Sequence, residues 1–339
     1  MINKSTIKAY ACINKKTSIR QKSSSGGCYF ALAKDFIEQG GIVYSARFND
    51  GFSVEHAKCS SVNELAQFMG SKYAPSRLGN TFKEIKEVLE KGKRVMFVGT
   101  PCQNAGLSSF LKKDYPTLLK VDFICHGMPD EKVWDRYSDY LKEKGEIKNI
   151  YFRNKDKGWY DYNFKVEYVD GTVFEENHSD NIYMRGFLAD LFLKKACYEC
   201  KNRGFNRVSD ITLADYWGID DAIPEMFDNQ GTSAVFVNTL KGEKIFNKIS
   251  EQFSIRQVNL EEITKYNPSY FYNANMHRNY NQFMEKLDNC KDVIKLIENC
   301  LKDKFIVRAL RKVKRTFICL LPYLCYNPRP ESFRAATVI

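Results

Sequence analysis

The sequence lacks the long apolar runs that cross a bilayer. No stretch approaches the roughly 20 residues a spanning helix needs. The nearest, 317–326, is too short and contains Pro322. Residues 1–21 hold no charged-then-apolar leader, so a signal peptide is not expected and a soluble, cytoplasmic chain is. Histidine is scarce, with four in 339 residues, so cysteine is the more expected metal ligand. No helix-turn-helix, zinc-finger or RNA-recognition pattern occurs, so no nucleic-acid partner is expected despite a net charge of +11. Internal repeats and low-complexity linkers are missing as well. What is present is core material: 44% hydrophobic and 14% aromatic residues exclude a disordered chain.

The basic excess is mostly dispersed along helical stretches such as 82–94, where Lys and Glu alternate as on a solvated face. One stretch, 308–315, is concentrated, and the apolar run 317–326 follows it. Such a tail suits peripheral contact with an anionic membrane; the commoner fate is a final helix docked on the domain. Eleven cysteines, an odd number in an unsecreted chain, do not form a disulfide framework. They are small hydrophobes, metal ligands or reactive thiols.

The first two thirds alternate between strand and helix patterns. Apolar residues over 27–39 recur at helical spacing and stop at Gly40-Gly41, and 42–48 reads as a strand. Helices are expected over 63–69 and 81–90. Continuous apolar strands at 94–99 and 118–124 are separated by a loop and a helix from about 104 to 112. This predicts an α/β fold with a mostly parallel, covered sheet, whose ligands gather at the carboxyl ends of the strands. From 150 to 175 the pattern alternates, with strands 163–169 and 172–176 flanking Asp170-Gly171, a hairpin signal. A helix near 184–193 and strands at 211–214 and 234–237 follow. From 260 onward the chain is polar and helical.

Cys197-Tyr-Glu-Cys200 is the clearest chemical signal. Two thiolates two residues apart can converge on zinc or an iron–sulfur centre, or form a redox pair. The basic neighbours Lys194, Lys195, Lys201, Arg203 and Arg207 would offset thiolate charge. Two more ligands are needed to close a four-sulfur site. Cys102 and Cys125 each follow an apolar strand, where an α/β sheet places ligands; His126 is an alternative to Cys125. The remaining cysteines read as packing. Ser23-Ser-Ser-Gly-Gly27 opens a helix and suits a phosphate, though a plain serine cap explains it equally. It is neither a P-loop nor a dinucleotide fingerprint. Gly70-Ser-Lys-Tyr73 is a second small, cationic turn. Arg153 and Lys155, near Gly158-Trp159, offer cations beside an aromatic face, or a surface loop.

Taken in order, Ser-Ser-Ser-Gly-Gly, Gly-Ser-Lys-Tyr, Gly-Thr-Pro-Cys-Gln, Cys-His-Gly, Phe-Arg-x-Lys, Cys-x-x-Cys and the 209–218 segment (SDITLADYWG) resemble one family. It is the beta subunit of coenzyme F420 hydrogenases and dehydrogenases, and the resemblance covers roughly 22–238. Its relatives include flavin and iron–sulfur reductases of chlorophyll derivatives, and proteins encoded among bacterial polysaccharide genes. The resemblance implies an FAD- and [4Fe–4S]-dependent oxidoreductase, passing electrons between a one-electron donor and a two-electron small-molecule acceptor. Cys102, Cys125, Cys197 and Cys200 would hold the cluster. Ser24, Ser25, Gly26 and Gly27 would meet the flavin phosphates, with Lys72, Thr100, Gln103, Arg153 and Lys155 near the cofactor. Asp215 and Trp217 are structural or line the flavin site. The expected division is an extension over 1–21, the flavin/iron–sulfur domain over 22–258 and a helical, basic region over 259–339. Many relatives begin with a ferredoxin-like segment, whereas 1–21 holds only Cys12, so a separate electron donor such as a ferredoxin is expected. The alternative is a scaffold or assembly protein with a structural zinc site made of the four cysteines.

Overall fold

The computed structural model describes residues 4–302. The basic stretch 308–315, the apolar run 317–326, Cys319 and Cys325 lie outside the described residues.

Twelve strands run through the described chain: β1 (Lys8–Asn14), β2 (Ile42–Phe48), β3 (Val54–Cys59), β4 (Ser76–Arg77), β5 (Val95–Val98), β6 (Leu118–Phe123), β7 (Ile147–Asn154), β8 (Asn163–Tyr168), β9 (Val173–Asn177), β10 (Ile211–Asp215), β11 (Ser233–Val237) and β12 (Phe253–Val258). Nine of them form one sheet in the order β12-β1-β11-β10-β6-β5-β2-β3-β4. Its heart, β10-β6-β5-β2, is parallel, and every residue of β5 and β10 is buried. β5 and β6 are the continuous apolar runs that predicted a covered parallel sheet. Helices Cys28–Glu38 and Leu240–Ile249 pack on one face, where Leu32, Phe36, Met96, Val121, Leu213 and Phe246 share a core. Helices Thr81–Glu90 and Pro101–Leu111 cover the other face around Ile85, Leu89, Phe97 and Leu107.

The flanks are antiparallel, and they are the part the hydrophobic pattern conceals. β1 lies between β11 and β12, so residues 8–14 sit inside the sheet and are not an appendage. β3 pairs with β2. Both strands place polar side chains among the apolar ones, as half-buried antiparallel strands do.

The expected hairpin is present as β8 and β9, turning at Gly171 with φ +87. β7 adds a third strand. Together with helices Glu131–Lys142, Ile182–Leu188 and Val293–Leu301 this small sheet encloses a second, aromatic-rich core. Trp134, Phe152, Tyr183 and Phe192 lie in it. The helix expected over 184–193 ends at Leu188, and the segment after it runs extended, with Leu193 bridging Pro129. Among the described residues no helix is long and apolar enough to cross a membrane.

Candidate functional site

A cavity of about 850 Å³ opens at the carboxyl ends of the parallel strands. Ser45, Val98, Phe123 and Leu213 supply its floor from β2, β5, β6 and β10. The 23–28 loop and the 68–76 segment close over it. Among the described residues no acidic side chain lines it, and Lys72 is its only lysine or arginine.

The 23–28 loop is rigid because it is bonded from behind. Ser25 Oγ donates to the Thr232 carbonyl at 2.8 Å, and the Gly26 amide donates to Ser233 Oγ at 2.9 Å. Lys155 Nζ, half-buried, donates to the carbonyls of Arg20 at 2.7 Å and Gln230 at 2.8 Å. Burial, with Arg153 nearby, lowers its pKa to about 7. Gly27 caps helix Cys28–Glu38 with φ +91, a conformation that L side chains rarely adopt. Gly26 does not line the cavity. A Cβ there would lie 2.2 Å from the Cys12 carbonyl oxygen and 2.6 Å from the Ser233 nitrogen. This glycine lets the loop press against β1 and β11.

Lys72 is buried, and among the described residues its ammonium donates to the carbonyls of Met69 at 3.0 Å and Gly70 at 3.2 Å. Loss of hydration lowers its pKa to about 7. A buried cation without a carboxylate partner, beside a helix N-terminus, favours an anionic ligand. These residues fit the phosphates of a flavin nucleotide. Of the positions expected to meet the cofactor, Ser24, Ser25, Gly27, Lys72, Thr100 and Gln103 line this cavity. Arg153 and Lys155 do not. Arg153 is buried in an ion pair with Asp215 at 2.6 Å, and Trp159 Nε1 donates to the same carboxylate at 3.0 Å. Trp217 stacks on Trp159 at 4.9 Å. Asp215 and Trp217 thus join the small sheet to the large one, the structural role.

The cysteines gather beside the cavity. Cys102 was expected in a loop, but it lies in the first turn of helix Pro101–Leu111, which starts earlier than its apolar pattern. Thr100 and Gln103 form a capping box there, and Pro101 occupies the first helical position. Cys125 follows β6. The 126–130 loop is pinned to the 191–197 segment by bonds from Asp130 N to Phe192 O and from Lys194 N to Met128 O, each 2.7 Å. Gly127 permits this approach, since a Cβ would lie 2.6 Å from Leu193 Cδ1. Cys197 is thereby brought to Cys125, and its sulfur accepts from the Met128 amide at 3.3 Å. Burial raises the Cys125 thiol's pKa most; Arg203 opposes this, and Cys102, Cys197 and Cys200 add to it. Cys125 therefore lies within electrostatic reach of the other three sulfurs. Among the described residues no three His, Cys, Asp or Glu side chains converge as one metal ion would require. Four cysteine thiolates are the donor set that a [4Fe–4S] cluster takes, one to each iron.

Residues that the sequence reading missed tie the site together. Arg203, noted only as a nearby charge, is buried and donates to the carbonyls of Cys125 and His126 at 2.8 Å each, and to Ser269. His126 Nε2 lies 2.5 Å from Asp190 Oδ1. His56, on the inner face of β3, lines the cavity beside Ser76. A lone histidine in an alternating strand gave no signal of this. Met128 and Thr100 line the cavity, and each also contacts a cysteine sulfur, Cys197 and Cys102 respectively.

The sequence pattern that describes the C-terminal part of the coenzyme F420 hydrogenase/dehydrogenase beta subunit matches residues 92–263, just over half of the chain. The chain belongs to this family. The matched span includes all four cysteines, whereas the 23–28 loop and Lys72 precede it. Among solved structures, a chain of the xenon-derivatized F420-reducing [NiFe] hydrogenase complex from Methanosarcina barkeri is similar at 16% identity and a TM-score of 0.50. That likeness covers 91% of this chain and 92% of that one, and it is a likeness of fold. No curated protein matches the chain.

Proposed function

We propose that this family member is an oxidoreductase that binds FAD in the 850 Å³ cavity and a [4Fe–4S] cluster on Cys102, Cys125, Cys197 and Cys200. The observation that carries this reading is the shared wall. Thr100 and Met128 line the cavity and at the same time touch two of the four sulfurs. A flavin exchanges two electrons with a small-molecule acceptor, and a cluster exchanges them singly, so adjacency is what the pair requires.

The chain's own groups have definable tasks. Ser24, Ser25, Gly27 and the helix N-terminus bind the phosphates, and Lys72 adds a buried positive charge at the cavity. The apolar side chains of Val98, Phe123, Leu213 and Met128 keep water from the cavity floor. Arg203 holds the Cys125-His126 backbone and offsets thiolate charge. A one-electron protein such as a ferredoxin is the proposed donor. The M. barkeri neighbour, which comes from a hydrogenase complex, supports a role beside other proteins. Service in polysaccharide synthesis is a further proposal that rests on the resemblance alone.

The alternative is a scaffold on a structural zinc site made of the same four cysteines. Anaerobic purification followed by assays for iron, sulfide, zinc and flavin tests the reading. Iron, sulfide and releasable FAD are expected. Zinc in stoichiometric amount, without iron or flavin, would refute it.

A further inference from the structure

One wall of the cavity carries a continuous chain of hydrogen bonds whose directions can be worked out. His56 Nε2 lies 3.0 Å from the Val98 carbonyl, which can only accept, so this nitrogen carries the proton. Burial holds the ring neutral, with a pKa lowered to about 4. Its Nδ1 must then accept, and Ser76 Oγ donates to it at 2.7 Å. Ser76 Oγ in turn accepts from Gln103 Nε2 at 3.0 Å. That orients the Gln103 amide so that its Oε1 faces the Thr100 N–H, 2.9 Å away. The Thr100 hydroxyl accepts from the Gln103 backbone N–H at 3.3 Å, completing the capping box, and lies 3.1 Å from Cys102 Sγ. Against a thiolate, the hydroxyl is the only donor available. His56, Ser76, Gln103 and Thr100 all line the cavity.

We infer that His56 and Ser76 are positioning residues for Cys102: by fixing the Gln103 side chain they hold the capping box that sets the Thr100 hydroxyl against the cysteine sulfur. The inference rests on the reading of Cys102 as a cluster ligand and goes beyond it. Hydrogen bonds to cluster sulfurs stabilise the more negative, reduced state and so raise the potential. The chain therefore links the cavity wall to the electron affinity of the cluster. Neither His56 nor Ser76 touches a cysteine, so any effect they exert on the cluster must travel through Gln103.

The test is a redox titration, followed by EPR, of anaerobically prepared full-length protein with iron and flavin contents measured alongside. Thr100→Val should lower the reduced-to-oxidised ratio at fixed potential roughly tenfold, about 59 mV for one electron. Ser76→Ala removes one oxygen and is the deciding variant. It should shift the ratio in the same direction by roughly threefold, a partial loss of the same hydrogen bond, with iron and flavin contents unchanged. His56→Phe should behave like Ser76→Ala, and His56→Asn, whose amide oxygen can take the Nδ1 position, should restore the wild-type potential. A shift in Thr100→Val with none in Ser76→Ala would overturn the inference, because Thr100 would then act alone. Iron-free wild-type protein would refute the proposed cluster instead. The chain would then be read from the rate at which iodoacetamide alkylates Cys102, scored by mass spectrometry. Several-fold slower alkylation at neutral pH in Ser76→Ala, from a smaller thiolate fraction, supports the inference, and equal rates overturn it.

Discussion

The cavity and the cysteine quartet share a wall but are held by different means. The cavity rim is fixed by backbone packed against backbone: the 23–28 loop rests on β1 and β11, and Gly26 leaves no room for a side chain. The quartet is assembled from three separate segments, drawn together by loop-to-loop bonds around Leu193 and by Arg203. One half is a property of the sheet; the other is a property of its loops. Damage to the first should therefore spread through the fold, while damage to the second should remain local.

Gly26→Val tests the first half and has the largest expected effect. Its Cβ would collide with the backbone of β1 and β11, which cannot move without parting the strands. A loss of about 3 kcal/mol or more is expected, read as a lower urea midpoint and loss of both iron and flavin. A stable Gly26→Val protein that had lost flavin alone would show that the loop tolerates displacement, and the contrast would fail.

Cys125→Ser comes next. It should abolish most of the bound iron yet leave flavin retention near wild type, because no part of the cavity lining is altered. Arg203→Leu should weaken iron retention by roughly tenfold or more, as loss of a group that orients ligands does, again without loss of flavin. Equal loss of flavin in either variant would mean that the two halves form a single unit.

The legibility of the sequence follows the same division. The parallel heart was readable because β5 and β6 are almost wholly buried and carry largely apolar runs. β1, β3 and β12 were not, since strands with one wet or mixed face show no continuous run. The four cysteines could be singled out from their types and positions, but Cys102 lies in a helix where a loop was expected. Its Thr-Pro-x-Gln start is a capping signal that outweighs the later apolar spacing. Arg153 and Lys155 were misplaced because a cation near an aromatic ring reads alike whether it faces a ligand or, as here, a carboxylate and backbone carbonyls. His56 could not be found from sequence, since its role is set by Ser76 and Gln103, distant along the chain.

Smaller effects sharpen the contrast. Lys72→Met should lower FAD affinity by roughly tenfold, the order of one buried charge-assisted contact, measured by fluorescence titration, with iron content unchanged. In wild type, Lys72 is charged below its pKa of about 7, so affinity for an anionic ligand should be full below that pH and decline above it. The Lys72→Met profile should be flat in this range. A wild-type profile already flat from pH 6 to 8, on the order of one unit either side of that value, would remove Lys72 from the anion site. Cys290→Ser should change neither iron nor flavin, because Cys290 lies between the C-terminal helices, where its backbone carbonyl accepts from Arg136 and its N–H donates to the Leu287 carbonyl.

The central claim is that the two centres sit against one wall, and EPR of the partly reduced, cofactor-loaded protein addresses it most directly. With the cluster reduced, the flavin radical signal should relax much faster than it does in Cys125→Ser, where flavin remains and the cluster is lost. A flavin radical that relaxes identically in wild type and Cys125→Ser, in wild-type protein shown to contain both iron and flavin, would contradict the shared wall.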